Sequence, residues 1–187
     1  MTRQILSFET GPVDPRELRT ALGRFATGVT VITTRGPDGK REGLTANSFS
    51  ALSLDPPLVL WSIKTSAASL PTFRAARAFA IHVLAHDQAD LSHRFATPAQ
   101  DKFAGLAVRD GLDGLPMLEG TLATFECALA QDVEGGDHRI LVGRVRRASY
   151  GEGAPLLFSA GRYGVATPLP RDVDASSDLA SLWDGLA

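Results

Sequence analysis

Residues Gly43–Ser69 read GLTANSFSALSLDPPLVLWSIKTSAAS, two buried strands whose ends carry small hydroxyl and amide side chains. The first strand bears Thr45-Ala46-Asn47-Ser48, short donors on open backbone that suit an oxygen-rich ligand lying flat against a sheet. Alternation along a strand sets Thr45 and Asn47 on one face, so both can address one ligand. The second strand, 58–63, runs into Lys64-Thr65-Ser66-Ala67-Ala68-Ser69 just ahead of a helical pattern. First-turn N–H groups lack intrahelical partners and the helix dipole favours negative charge, so Ser66 and Ser69 mark a candidate anion site. Serines that merely cap the helix would occupy the same place for the same electrostatic reason, and that reading stays open beside the first. A polar ring on a sheet edge and a phosphate at a helix start together point to a nucleotide-like cofactor. The chain carries no G-x-G-x-x-G after a strand, no G-x-x-x-x-G-K-[ST] and no G-x-S-x-G, so such a cofactor would not be held in Rossmann style.

Working outward, Asp14-Pro15 opens a helix in the preferred cap-then-proline order, with Leu18, Leu22 and Phe25 as its apolar stripe. The run 29–34 is β-branched, and the Gly36-Pro37-Asp38-Gly39 turn leads into a strand over 42–54. Asp55-Pro56-Pro57 breaks the sheet; a short helix over 70–77, a strand over 78–84 and a helix over 87–96 capped by Asp87 follow. The Gly-, Asp- and Pro-rich stretch 98–120 reads as a long surface loop of the kind that often carries function. Strands over 121–133 and 139–150 flank Glu134-Gly135-Gly136-Asp137-His138, and a last strand over 156–160 leads to Gly161-Arg162-Tyr163-Gly164. Six or more strands at hairpin spacing with short helices between them predict a mainly β fold, a closed or nearly closed antiparallel barrel.

Composition sets the outer bounds. A chain of 187 residues with 44% hydrophobic and 21% charged residues is one soluble domain able to bury a core. With 19 basic and 21 acidic residues and no basic stripe, the footprint of a nucleic-acid binder is missing. No apolar run reaches the length of a membrane span, and the first residues lack a signal-peptide pattern, so a cytoplasmic location is expected. The lone Cys127 reads as a packed thiol, Trp61 and Phe49 as core or interface aromatics, and Arg146 and Arg147 as a solvated strand end. His82, His86 and His93 lack the carboxylate or thiolate companions of a tetrahedral cluster, and no metal site is expected.

Several motifs in order resemble one known family. They are Phe25-Ala26-Thr27-Gly28-Val29-Thr30-Val31, Gly43-Leu44-Thr45-Ala46-Asn47-Ser48-Phe49, Ser53-Leu54-Asp55-Pro56-Pro57-Leu58-Val59, Gly136-Asp137-His138 with Val142-Gly143-Arg144-Val145, and Gly161-Arg162-Tyr163. From about residue 18 to 164 the chain is similar to the short-chain flavin reductases, in particular the reductase components of two-component flavin monooxygenases. The resemblance implies an FMN-binding split β-barrel of Greek-key-like antiparallel topology over 15–164, with an N-terminal arm (1–14) and a C-terminal tail (165–187). It also implies a homodimer that binds FMN or FAD, takes NADH or NADPH as co-substrate and supplies reduced flavin to a partner monooxygenase. By resemblance, Thr45, Ala46, Asn47 and Ser48 line the isoalloxazine and ribityl part, and Ser62, Ile63, Ser66 and Ser69 surround the ribityl chain and phosphate. His138 is the catalytic candidate beside the nicotinamide, and Arg94, Phe95 and Tyr163 are further pocket residues. On its residues alone, His138 would be an exposed turn histidine. A flavin storage or sensor protein, or an oxidase of another reduced substrate, uses the same fold, and these alternatives remain open here.

Overall fold

The computed structural model describes residues 4–9 and 11–167; the expected tail beyond residue 167 lies outside the described residues. Among the described residues, three short α-helices and twelve strands follow one another. They are α1 (Pro15–Leu22), β1 (Thr27–Gly28), β2 (Thr30–Arg35), β3 (Arg41–Ala46), β4 (Ser50–Leu54), β5 (Pro57–Lys64), α2 (Leu70–Ala76), β6 (Ala78–Val83), α3 (Ala89–Ala96), β7 (Val108–Asp110), β8 (Pro116–Leu118), β9 (Ala123–Gly135), β10 (His138–Tyr150), β11 (Leu156–Ser159) and β12 (Arg162–Val165). The main sheet has the order β3-β2-β6-β9-β10-β5-β4, all antiparallel; β1, β11 and β12 form a small second sheet, and β7 pairs with β8.

The β-branched run of β2 is buried along both faces because it separates two cores. Ile32 faces the cluster that fills the barrel, with Trp61, Phe73, Phe79, Ile81 and Leu141. Its neighbour Val31 points the other way, into a cluster with Leu84, Phe95, Phe103 and Leu156 beneath α3 and the small sheet. Two glycines let aromatic rings pack directly on the sheet. A Cβ on Gly143 would lie 2.5 Å from the Phe79 ring, and one on Gly43 would lie 2.6 Å from the Phe95 ring. Gly43 is thus the reason α3 can lie directly on β3. Cys127 is buried in the barrel core, and burial pushes its thiol up to about 12, as suits a packing residue.

The sheet is not closed, and the expected strand over 42–54 is broken. β3 and β4 lie at opposite edges of the main sheet, and no ladder joins them among the described residues. Asn47–Phe49 crosses the gap. There the Ser48 hydroxyl donates to the Ser62 carbonyl at 3.1 Å and accepts from the Ser62 N–H at 2.9 Å, a side-chain stitch replacing a ladder. β4 is therefore a solvent-facing edge strand and not a buried one.

Other expectations also change. Asp14 caps α1 as expected, accepting from Arg16 N–H at 2.8 Å, but the helix ends at Leu22 and buries none of its residues. The cap of α3 is Gln88, not Asp87, because the Gln88 side chain accepts from Ala85 N–H and holds the turn. The stretch 98–120 is no simple surface loop. It buries Phe103, Leu115, Met117 and Leu118, adds β7 and β8, and folds over the sheet. Arg146 and Arg147 stay exposed at the strand end but are paired: Arg146 bonds Asp113 of the fold-back, and Arg147, opposite Glu126 in the β9–β10 register, clamps that buried carboxylate with two bonds while Leu112 N–H donates to it. Burial alone would raise the Glu126 carboxyl; the Arg147 and Leu112 hydrogen bonds outweigh it and hold the group below its usual range.

His82 fastens the same segment. Its Nδ1 lies 3.1 Å from the Val31 carbonyl and its Nε2 accepts Leu118 N–H at 3.1 Å, so the ring is neutral with the proton on Nδ1. Burial pushes its pKa down to about 4. The unfolded chain takes up this proton near pH 6.5 and the folded chain only near 4, so stability is full above that window and falls as pH drops through it. Chemical unfolding should show a loss of about 2 kcal/mol between pH 7.5 and 5, largely abolished in His82→Gln; an unchanged midpoint would contradict the assignment. Ser48→Ala, which leaves both Ser62 backbone groups without their partner, should cost about 1–2 kcal/mol and lower Tm by several degrees.

Candidate functional site

The gap between β3 and β5 opens into a cleft of about 790 Å³. Its walls are the end of β3 with the crossing segment, the end of β5 with the loop after it, and the start of β10. Thr45, Ala46, Asn47, Ser48, Ser62, Ile63, Ser66 and His138 all line it, so the structure brings these sequence-predicted residues together. Tyr163 lines an annex of about 200 Å³ that shares Thr45, Asn47 and Ala96 with the cleft.

Three predicted residues are not brought there. Phe95 is fully buried against Phe103, because the missing Cβ of Gly43 lets its ring sink onto β3. The Arg94 guanidinium turns away to donate to the Ala104 carbonyl at 2.7 Å. Ser69 precedes the seven-residue α2 without making a side-chain capping bond, and it lies outside the cleft lining. In their place stand residues that sequence reading missed or set aside: Lys64, Ala67 and Ile140. A period of two from His138 reaches Ile140, and cross-strand pairing sets His138 opposite Lys64 and Ile140 opposite Ser62, so register was the signal that could have found them. Ala96, at the end of α3, carries no such signal.

Not every hydroxyl in the cleft is free for a ligand. Ser48 is fully engaged with the Ser62 backbone. The Thr45 hydroxyl donates to the Ser92 carbonyl at 2.6 Å, which ties β3 to α3. The Asn47 amide donates to the Thr27 hydroxyl at 3.3 Å, and its carbonyl oxygen has no protein partner among the described residues. Thr45 and Ser48 therefore shape the wall, while Asn47 and Ser66 offer it polar atoms.

His138 is held by a turn. Gly136-Asp137 is a two-residue hairpin loop with Gly136 at positive φ, 67°, as a tight connection between twisted strands requires. The Asp137 carbonyl accepts from both the N–H and the hydroxyl of Thr65, at 3.0 and 3.1 Å, which clamps the turn to the end of β5. The Asp137 carboxylate lies 2.7 Å from His138 Nδ1, and this hydrogen bond holds the carboxyl below its usual range. With Nδ1 so engaged, Nε2 is left to meet a ligand. Among the described residues no group of three or more His, Cys, Asp or Glu side chains could hold a metal ion.

The cleft fits a flavin. Its volume suits a ligand of that size, and Asn47, Ser66 and Lys64 bring an amide, a hydroxyl and an amine to its lining. A family model described as a flavin reductase-like domain matches residues 22–167. The FMN reductase (NADH) SmoA of Agrobacterium fabrum is 48% identical over 157 residues, 84% of this chain and 89% of that protein. The reductase component of the flavin-dependent trigonelline monooxygenase of Acinetobacter baylyi is 42% identical over 164 residues. That match takes in 88% of this chain and 52% of the relative, so the chain spans about half its length. Among solved structures, the NADH:FAD oxidoreductase SgcE6 of Streptomyces globisporus superposes with a TM-score of 0.77 at 37% identity, covering 86% of this chain and 94% of that one. The open sheet with its three short helices is the split barrel these structures share. By its match over residues 22–167, the chain belongs to the flavin reductase-like domain family.

Proposed function

We propose that the chain reduces FMN or FAD with NADH or NADPH and hands the reduced flavin to a separate monooxygenase. The observation that carries this reading is the convergence of Asn47, Ser66 and the Asp137-held His138 on one cleft of flavin size. A flavin, when bound, supplies the acceptor ring, its N5 taking a hydride with two electrons from the nicotinamide C4. The chain's own residues bind and orient. Asn47 and the strand-end backbone meet the polar edge of the ring, and Ser66 with Lys64 meets the phosphate. His138 offers Nε2 to the nicotinamide side, and the flat wall of β3 and β5 brings donor and acceptor into near-attack range. The names of the relatives favour NADH and a monooxygenase partner.

The same reading includes a homodimer in the cytoplasm. Leu22 and Phe25 are 63% and 79% exposed and Leu54 is 60% exposed, apolar side chains of the kind a second subunit would cover. No described helix is long and apolar enough to cross a membrane.

Nicotinamide oxidation followed by absorbance should depend on added flavin; flavin binding with no oxidation would favour a storage or sensor protein instead. His138→Ala should raise KM for the nicotinamide about tenfold while the flavin Kd stays within about twofold. Ser66→Ala should weaken FMN about fivefold and leave riboflavin, which lacks the phosphate, unchanged; equal weakening of both would remove Ser66 from the phosphate site.

A further inference from the structure

Ser92 is fully buried in the middle of α3, and its environment is polar on purpose. Its carbonyl accepts the Thr45 hydroxyl at 2.6 Å, and its own hydroxyl lies 2.8 Å from the Tyr163 hydroxyl. One short chain, Thr45–Ser92–Tyr163, therefore links the main sheet, α3 and the small sheet around the annex. The Tyr163 ring is fixed further by edge contacts with His93 and Phe158, at centroid distances of 5.4 and 5.7 Å.

Two hydroxyls that share one hydrogen bond leave one O–H proton over. The Ser92 hydroxyl has Tyr163 as its sole side-chain partner among the described residues, and it is shut off from water. An O–H left over on Ser92 would be orphaned in the interior, a cost of about 1–3 kcal/mol. The favoured arrangement has Ser92 donating to the Tyr163 oxygen, which frees the Tyr163 O–H to donate into the annex that Tyr163 lines.

We infer that Ser92 is a positioning residue that aims the Tyr163 O–H at a carbonyl on the edge of a ring bound in the cleft and annex. The inference rests on the flavin reductase reading. Two ligands present such a carbonyl, the flavin on its pyrimidine ring and the nicotinamide in its carboxamide, and the annex shares Thr45, Asn47 and Ala96 with the cleft.

The test uses Tyr163→Phe, Ser92→Ala, the double variant and Ser92→Thr, each checked by thermal unfolding. Tyr163→Phe should weaken one ligand about five- to tenfold and Ser92→Ala the same ligand about two- to fivefold. The double variant should be no worse than Tyr163→Phe alone, because Ser92 acts through Tyr163. Ser92→Thr, which keeps the hydroxyl, should restore binding. A changed flavin Kd with a shifted visible absorption maximum identifies the flavin carbonyl; a raised nicotinamide KM with unchanged flavin spectrum identifies the carboxamide. Additive losses, or losses that merely follow a lowered Tm with no change in spectrum or KM, would overturn the inference, as would unaltered binding of both ligands. A wild-type chain without flavin-dependent nicotinamide oxidation would overturn the underlying reductase reading instead.

Discussion

Two strands that are neighbours in sequence cannot also be neighbours in this sheet. β3 and β4 stand at opposite edges of seven strands, so the three residues between them must bridge an open seam. Outward-facing backbone groups at such edges have no ladder partner and must be satisfied by side chains, water or a ligand. The Ser48 hydroxyl closes the seam at one point by bonding both backbone groups of Ser62. The rest of the seam is the cleft. Its position follows from topology, and its chemistry follows from which residues happen to end β3, β5 and the β9–β10 turn.

Around that seam the polar side chains divide into two groups. Ser48, Thr45 and Ser92 have their hydrogen bonds inside the protein and hold the walls at a fixed separation. Asn47, Ser66 and His138 keep atoms for a ligand. The division matters energetically, because removing a wall residue leaves a partner unpaired, whereas removing a ligand residue changes binding with little loss of stability. Asp137 belongs to both groups: its carbonyl anchors the turn to Thr65 and its carboxylate orients His138.

Much of this was legible in the residues. Apolar alternation, the Gly-Gly-Asp turn and the breaker Asp55-Pro56-Pro57 gave the strands, and the clustered hydroxyls and amide gave the cleft wall. Three features were hidden, each for a physical reason. The break at 47–49 lies in a stretch whose local preference is continuous strand, and only the topology interrupts it. The 98–120 segment is polar enough to read as loop, yet Phe103, Leu115, Met117 and Leu118 bury it once the sheet supplies a surface. Phe95 looks like a pocket residue until the absent Cβ of Gly43, fifty-two residues away in sequence, makes room for its ring in the core. Long-range pairing, not local propensity, decides all of these.

The central claim is that flavin occupies the seam between β3 and β5. Amide hydrogen exchange with and without saturating FMN tests it most directly. The account predicts slowed exchange confined to residues 44–48, 62–67 and the 136–140 turn, with the fold-back segment 98–120 unchanged. Protection centred elsewhere, in a protein that still binds and reduces the flavin, would contradict it.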